Sequence, residues 1–120
     1  METVWSDEVD AIFSVGIFLG NVGVRNWAIP HSNALAVLDR LADIGVGVLG
    51  GDVYLKREGT IELSYDNWYC NPEITESDKD FVNRSISYAR TYVANYRAAP
   101  PNDIFFAFVP NVKQKPQGQV

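Results

Sequence analysis

A run of β-favouring residues from Val46 to Tyr69, broken by one short polar connection, constrains the fold more than any other part of the chain. Valine, isoleucine and tyrosine favour strands, and a glycine-bearing connection between two such runs favours a hairpin. We therefore predict a β-hairpin over residues 46–65 with its turn at Glu58-Gly59. The apolar residues that support its two arms are Val46, Val48, Val53, Leu55, Ile61, Leu63 and Tyr65.

The alternation of apolar and polar residues along both arms predicts one buried face and one face directed to water or to a partner. Gly50-Gly51 interrupts the first arm, and paired glycines inside a strand indicate a bulge or a close backbone approach. The residues predicted on the outward face are Tyr54, Lys56, Glu62 and Ser64.

The end of the hairpin away from the turn contains its most unusual residues. With the turn at Glu58-Gly59, Asp52 is expected opposite Tyr65 and close to Asp66. The next residues, Asn67-Trp68-Tyr69, bring an amide and two large aromatic rings to the same end. We therefore expect two carboxylates and an aromatic cluster to lie together there.

Helical and strand patterns on both sides of the hairpin predict an α+β fold in one domain over residues 1–110. We expect a mostly antiparallel sheet of three to four strands with the hairpin at its centre, covered by two helices, and an extra N-terminal helix. The order β-α-β-β-α-β after the first helix makes a ferredoxin-like topology one candidate. Residues 111–120 contain few apolar groups and are expected to form a flexible tail. The other predicted elements are a helix from Ser6 to about Leu19, an edge strand Val24–Ile29, helices near 32–44 and 77–98, and a final strand Ile104–Val109.

Length and composition limit the class of protein. The chain has 120 residues, enough to bury a core without disulfides, and its one cysteine, Cys70, fits a reducing compartment. No apolar run approaches the roughly 20 residues that span a bilayer, and the acidic start differs from the basic start of a signal peptide. We therefore expect a cytoplasmic protein that binds no membrane, and we favour a monomer while leaving the oligomeric state open.

Negative charge is concentrated in the hairpin and the segment after it. The formal net charge is −5, and residues 52–80 carry eight acidic against three basic side chains, whereas the rest of the chain carries seven of each. Such a surface repels nucleic acid and accelerates encounter with a basic protein. Acidic loops also keep proteins soluble, so charge alone leaves both interpretations open.

Few residues in the chain suit catalysis. The single histidine, His31, lies at a predicted helix entrance, and Cys70 has no histidine beside it in the sequence. No glycine spacing matches a nucleotide-binding loop. Asp52 and Asp66 could hold a hard cation, but two carboxylates without a third ligand make a poor site. We therefore expect no catalytic residue, no metal site and no cofactor, and a small metal-dependent enzyme that uses Asp52 and Asp66 is the alternative.

The remaining chemistry is that of an interaction surface. Large aromatic side chains and directed negative charge at one end of a hairpin are typical of an interface with a basic protein. Packing of Trp68 and Tyr69 against the third helix is the alternative interpretation. The predicted partner-binding residues are Asp52, Tyr54, Glu62, Asp66, Asn67, Trp68, Tyr69 and Glu73.

Several segments, taken together, are similar to a known family. The most specific part is the pair Gly50–Tyr54 and Asp66–Tyr69, within a resemblance that covers roughly Gly20 to Pro110. The chain resembles a small immunity-protein family of bacterial polymorphic toxin and contact-dependent inhibition systems, and is immunity protein 40-like. The segments that carry the resemblance are Gly23–Ile29, Ala34–Leu41, Gly45–Tyr54, Tyr65–Cys70 and Ile104–Pro110.

This resemblance implies a non-catalytic cytoplasmic protein that binds and blocks a cognate toxin, and the acidic charge predicts that the toxin domain is basic. A motif shared within an inhibitor family maintains the fold or contacts the toxin, and the sequence leaves these two roles open. A structural or self-associating domain is a further alternative. The positions that the resemblance marks are Trp27, Gly50, Gly51, Asp52, Tyr54, Asp66, Asn67, Trp68 and Tyr69.

Overall fold

A five-stranded antiparallel sheet forms the centre of the protein, in a computed structural model that describes residues 2–100 and 102–117. The strand order is β1-β2-β5-β3-β4, so β1 and β4 are the edges. The predicted α+β class is confirmed, with five strands where three to four were expected. The elements are α1 Asp7–Phe13, β1 Ile17–Phe18, a 3-10 helix Leu19–Val22, β2 Trp27–Pro30, α2 His31–Asp43, β3 Val48–Arg57, β4 Thr60–Tyr69, α3 Asp78–Asn95 and β5 Asp103–Pro110.

The connections form two split β-α-β units. Strands β2 and β3 both run antiparallel to β5, which lies between them, so α2 joins two parallel strands across it. In the same way α3 joins β4 to β5 across β3. A ferredoxin-like sheet also contains two split units, but its central strands are the first and third of the four. Here β3 and β5, the second and fourth, are central, so the strand order is not the ferredoxin-like one.

The N-terminal helix is shorter than predicted. Helix α1 begins where the Ser6 hydroxyl accepts a hydrogen bond from the Val9 backbone N–H at 3.1 Å, and it ends at Phe13 rather than near Leu19. The chain then passes so close to β2 that a Cβ on Gly16 would lie 2.4 Å from the Ala28 carbonyl oxygen. Pairing of the next residues with β2 as β1 therefore replaces the expected helical turns.

The two long helices are confirmed, with ends shifted by a few residues. Helix α3 begins after Ser77, whose hydroxyl accepts from the Asp80 N–H at 3.1 Å. Both helices cover one face of the sheet, and burying a large apolar side chain in such a core contributes about 1.5–3 kcal/mol. The fully buried core residues that they and the sheet contribute include Leu38, Leu41, Ala89, Val48, Val53, Phe106 and Phe108.

The predicted turn of the hairpin is confirmed. Glu58 and Gly59 have φ values of 54° and 81°, and Arg57 pairs with Thr60. Positive φ at both central residues is the signature of a type I′ turn, which suits the twist of a two-residue hairpin. The second arm is longer than expected, because β4 continues to Tyr69 whereas the predicted hairpin ended at residue 65.

The predicted outward face of the hairpin is wrong. Tyr54 lies opposite Leu63, and Leu55 lies opposite Glu62. Because directly opposed residues share a face, Tyr54 and Glu62 point to opposite sides of the sheet. Tyr54 is only 5% exposed. It belongs to a second apolar cluster, on the sheet face away from the helices, made of Leu19, Ala28, Tyr54, Phe105 and Ala107.

The segment after β5 returns to the N-terminal part of the chain. The Lys115 N–H donates to the Val4 carbonyl at 2.7 Å, and the Arg25 guanidinium donates to the Lys115 carbonyl at 2.7 Å. The Gln114 side chain donates to the Arg25 carbonyl at 2.9 Å. The flexibility expected of residues 111–120 stays a prediction, and residues 118–120 lie outside the described part of the chain.

Candidate functional site

The paired glycines of the hairpin leave space in which Trp68 packs directly against the strand backbone. Gly51 lies directly opposite Trp68, and a Cβ on Gly51 would lie 2.4 Å from the indole Cη2. Gly50 has a φ of 149°, and its Cβ would lie 2.2 Å from the Trp68 carbonyl oxygen. An aromatic ring that packs over a strand glycine covers backbone that would otherwise stay exposed. The glycine pair is therefore a packing device.

Trp68 is part of the core and cannot belong to the surface on which the sequence placed it. It is 4% exposed, and its ring stacks on Tyr92 of α3 with the centroids 4.4 Å apart. The ring edge also contacts Phe106 and Phe108 of β5 at centroid distances of 6.4 and 6.0 Å. The alternative interpretation, packing of Trp68 and Tyr69 against the third helix, is thus correct for Trp68 and wrong for Tyr69, which is 74% exposed.

A bulge in β4 changes the register of the hairpin. Asn67 lies opposite Asp52 and Leu63 lies opposite Tyr54, so three residues of β4, Ser64–Asp66, face the single residue Val53. The Ser64 hydroxyl donates to the Val53 carbonyl at 2.9 Å and accepts from the Asp66 N–H at 3.1 Å, which satisfies backbone groups that lose ladder partners. The expected position of Asp52 opposite Tyr65 is therefore wrong.

The bulge turns Tyr65 into solvent. Its φ is 70°, a left-handed conformation that costs a residue with a Cβ roughly 1–2 kcal/mol. Its side chain is 81% exposed. Bulges re-aim side chains and are over-represented next to functional sites. The structure thus holds one large aromatic ring in water at the free edge of the sheet.

The two carboxylates expected to lie together are separated by the sheet. Asp52 shares a face with Asn67, whereas Asp66 accepts a hydrogen bond of 2.6 Å from the Tyr96 hydroxyl on the helix side. Burial raises the pKa of the Asp52 carboxyl. Among residues 2–100 and 102–117, no three histidine, cysteine, aspartate or glutamate side chains lie together in a way that could hold a metal ion.

The remaining predicted binding residues are accessible. Tyr69 points away from the core and is 74% exposed, and Ile74 in the following loop is fully exposed. Large exposed apolar side chains next to acidic ones are typical of an interface rim and its anchors. We define the hairpin-end surface by the exposed residues that follow the edge strand β4 from near the turn to its end and continue into the next loop: Glu62, Tyr65, Asp66, Asn67, Tyr69 and Glu73.

An ion pair that the sequence interpretation missed fixes the loop after β4. The Arg84 guanidinium donates to both carboxylate oxygens of Glu76 at 2.7 Å, to the Asn71 carbonyl at 2.7 Å and to the Cys70 sulfur at 3.3 Å. The hydrogen bonds from Arg84 lower the pKa of Glu76 to about 2. The eight-residue separation matches no i,i+4 helical pair, so no local pattern indicates this contact.

A groove on α3 is the second feature that was missed. Tyr88, Tyr92 and Tyr96 recur at every fourth residue, a spacing typical of one helix face, and Tyr88 is 51% exposed. Burial first, and then the nearby Asp66 carboxylate, raise the pKa values of Tyr92 and Tyr96. The sequence signal that could have revealed the groove is tyrosine, where a buried helix face would use leucine, at these three positions. The groove has a volume of about 710 Å³ and is lined by Arg84, Ser87, Tyr88, Thr91, Tyr92, Asn95 and Tyr96.

These features define a class of protein: an α+β domain with exposed aromatic and acidic side chains along one edge strand and the helix beside it. Within the described residues, no helix combines the length and apolar character needed to cross a membrane. Comparison with family models gives a match to Immunity protein 40 over residues 18–110. The chain belongs to this immunity-protein family, which confirms the resemblance. Comparison with curated proteins and with solved structures gave no match.

Proposed function

We propose that this protein is the immunity protein of a bacterial polymorphic toxin or contact-dependent inhibition system, and that it neutralises a cognate toxin by binding it in the cytoplasm. Membership of the Immunity protein 40 family is the observation that carries this proposal. Binding alone accounts for neutralisation, so the proposal requires no catalytic step, metal or cofactor.

The hairpin-end surface is the proposed contact with the toxin. It lies within the segment 52–80, where acidic side chains outnumber basic ones by eight to three. Its aromatic residues, Tyr65 and Tyr69, present large rings that are already out of the core. Aromatic anchors provide most of the binding energy in many interfaces, while surrounding charge guides the encounter. A basic toxin surface fits both properties.

Tyr54 and Trp68 are not part of this proposed contact, because both side chains are buried. Asp52 is half-buried and lies on β3, one strand in from the free edge, so it is also left out. This division assigns the glycine and tryptophan motif to folding and the neighbouring exposed residues to recognition.

The proposal is tested by stopped-flow association with the cognate toxin domain. Glu62→Lys reverses an exposed charge on the hairpin-end surface, and Asp43→Lys makes the same change at the exposed end of α2, outside that surface. At low salt we expect Glu62→Lys to lower the association rate about tenfold, with a smaller effect at high salt because screening weakens steering. Asp43→Lys is the matched control.

Two outcomes contradict the proposal at different levels. Equal association rates for the two lysine variants would remove the hairpin-end surface as the site of contact. Failure of the wild-type chain to protect cells that express the toxin domain would remove the immunity function itself.

A further inference from the structure

The tyrosine groove, defined by Tyr88 and Tyr92 of α3 and by Tyr96 directly after it, joins the hairpin-end surface through one hydrogen bond. The Tyr96 hydroxyl donates to Asp66, which belongs to the bulge of β4, at 2.6 Å. Tyr92 and Tyr96 stack with their centroids 5.9 Å apart, and Tyr92 is backed by the buried Trp68. The rings are therefore held in place before a partner arrives, which lowers the entropic cost of binding.

The tyrosine rings that line the groove lie beside a carboxylate. The faces of tyrosine rings attract cations within about 6 Å of the centroid. The Asp66 carboxylate next to Tyr96 adds a full negative charge on the same side of the sheet. An aromatic wall with an adjacent carboxylate favours a positively charged group over an apolar one of equal size.

The basic residues near the groove are already engaged. Arg84, at one end, donates to Glu76, Asn71 and Cys70, so its charge is balanced by the Glu76 carboxylate. Arg97, beyond the other end of α3, donates to the Ala94 and Tyr96 carbonyls. The Asp66 carboxylate, in contrast, has no ion-pair partner among the salt bridges that the structure records.

Tyr65 gives an independent indication that this edge is functional. It keeps a left-handed backbone conformation and an exposed ring, at a cost that packing of its own side chain does not recover. Strained backbone conformations cluster at sites of recognition and catalysis. Because Tyr65 precedes Asp66 in the bulge, the strained residue stands beside the carboxylate that accepts the hydrogen bond from Tyr96, which lines the groove.

From these observations we infer that the tyrosine groove receives an arginine side chain from an extended segment of the toxin. This inference deepens the proposed function and rests on it. Arginine fits because its planar guanidinium stacks on aromatic rings and donates in parallel to a carboxylate. The groove volume of about 710 Å³ lies within the range of ligand sites and leaves room for residues on both sides of the arginine.

The test uses a defined probe in place of the toxin. The whole chain is titrated with acetylated and amidated Gly-Arg-Gly, and with the peptide in which uncharged citrulline replaces arginine, while the tyrosine ring resonances are followed by NMR. At a peptide concentration of about 10 mM, we expect the arginine peptide to shift the resonances of Tyr88, Tyr92 and Tyr96. Its affinity should be about fivefold or more above that of the citrulline peptide. The affinity of the corresponding lysine peptide should lie between those of the arginine and citrulline peptides.

Matched variants identify the carboxylate. Asp66→Asn keeps an acceptor for the Tyr96 hydroxyl but removes the charge, and it should weaken arginine-peptide binding about fivefold. Asp43→Asn makes the same change in net charge on an exposed position of α2 and should leave binding unchanged. Tyr88→Ala, at a half-exposed position, should fold normally and reduce the affinity.

Each outcome supports or overturns the inference. Equal shifts with the arginine and citrulline peptides, no shift of the groove tyrosines, or equal effects of Asp66→Asn and Asp43→Asn would overturn it. Because no toxin is present, a failed titration in a chain that still protects cells removes the groove assignment alone. A successful titration in a chain that does not protect cells keeps the groove as an arginine site but removes the proposed function, and with it the toxin as the source of the arginine.

Discussion

Opposite Gly50-Gly51, the aromatic ring of Trp68 packs into the core, whereas at the Ser64–Asp66 bulge the ring of Tyr65 points into solvent. The first place lies next to a register shift between β3 and β5, and the second interrupts the ladder between β3 and β4. At the first place Trp68 packs against the glycine backbone, and at the second Tyr65 has an exposed ring and a strained backbone conformation. One irregularity therefore supports stability, and we propose that the other supports recognition.

The comparison shows that adjacent aromatic residues need not share a role. Tyr65, Trp68 and Tyr69 lie within five positions and look equivalent as a cluster in the sequence. Alternation along β4 sends Trp68 to the helices and Tyr69 away from them, and the bulge sets the direction of Tyr65. Substitutions at these positions should therefore separate into effects on folding and effects on binding.

The largest expected effect is that of Trp68→Ala. Removing a buried tryptophan leaves a cavity between β4, β5 and α3, and we expect the free energy of unfolding to fall by about 3–5 kcal/mol. Urea denaturation measures this change. Tyr69→Ala, which truncates the exposed neighbour, should change stability by no more than about 0.5 kcal/mol. Comparable losses for the two variants would erase the distinction between them.

Gly51→Ala tests whether the packing of Trp68 requires glycine at position 51. The new methyl group would meet the Trp68 ring at 2.4 Å and the Ala107 carbonyl oxygen at 2.9 Å, so the strands or the ring must shift. We expect a loss of about 1–3 kcal/mol in the free energy of unfolding. In a Trp68→Ala background this loss should shrink, because the ring is gone, without vanishing, because the carbonyl contact remains. An unchanged loss would show that the ring does not set the requirement for glycine.

At position 65 the glycine variant should be more stable than the alanine variant, which reverses the usual order. Because φ is 70°, Tyr65→Gly is expected to be more stable than Tyr65→Ala by about 1 kcal/mol, whereas glycine is the less stable residue at ordinary positions. Both variants should weaken toxin binding, since both lose the ring. Denaturation and binding measured on the same two proteins check this. Alanine equal to or above glycine in stability would refute backbone strain at the bulge.

The smallest expected effect concerns the ion pair between Glu76 and Arg84, which holds the loop beside the hairpin-end surface. The pKa of Glu76 falls from an ordinary 4.5 to about 2, so the folded state favours the charged carboxylate. Its stabilisation is therefore complete above about pH 4.5 and is lost as the pH falls toward 2. Salt should reduce it further, because the pair is partly exposed.

Thermal unfolding of the wild-type chain and Glu76→Gln measures this contribution. The difference in Tm should be largest near neutral pH and should narrow as the pH is lowered through about 4.5. Arg84→Gln should give the same trend, since either change breaks the same pair. A difference in Tm that is independent of pH would mean that the pair does not stabilise the loop.

Much of the fold follows from local sequence signals. The turn at Glu58-Gly59, helices α2 and α3 and the α+β class were predicted because periodicity, caps and turn residues act over a few positions. The candidate site was predicted less well. The exposed residues Asp66, Asn67 and Tyr69 were named correctly as surface residues, whereas Tyr54 and Trp68 proved buried and the tyrosine groove was missed. Burial depends on segments distant in the chain, which local patterns do not reveal.

The sequence by itself determined where this chain turns, where its helices run and that it resembles an immunity-protein family, because these properties are written in neighbouring residues and in short motifs. Only the tertiary structure decided that β5 enters between β2 and β3, that Asp52 and Asp66 occupy opposite faces, and that Trp68 lies inside while Tyr65 lies outside. The physical reason is that strand order and a bulge are set by packing across the whole sheet. A shift of register there reverses which side chains meet the core.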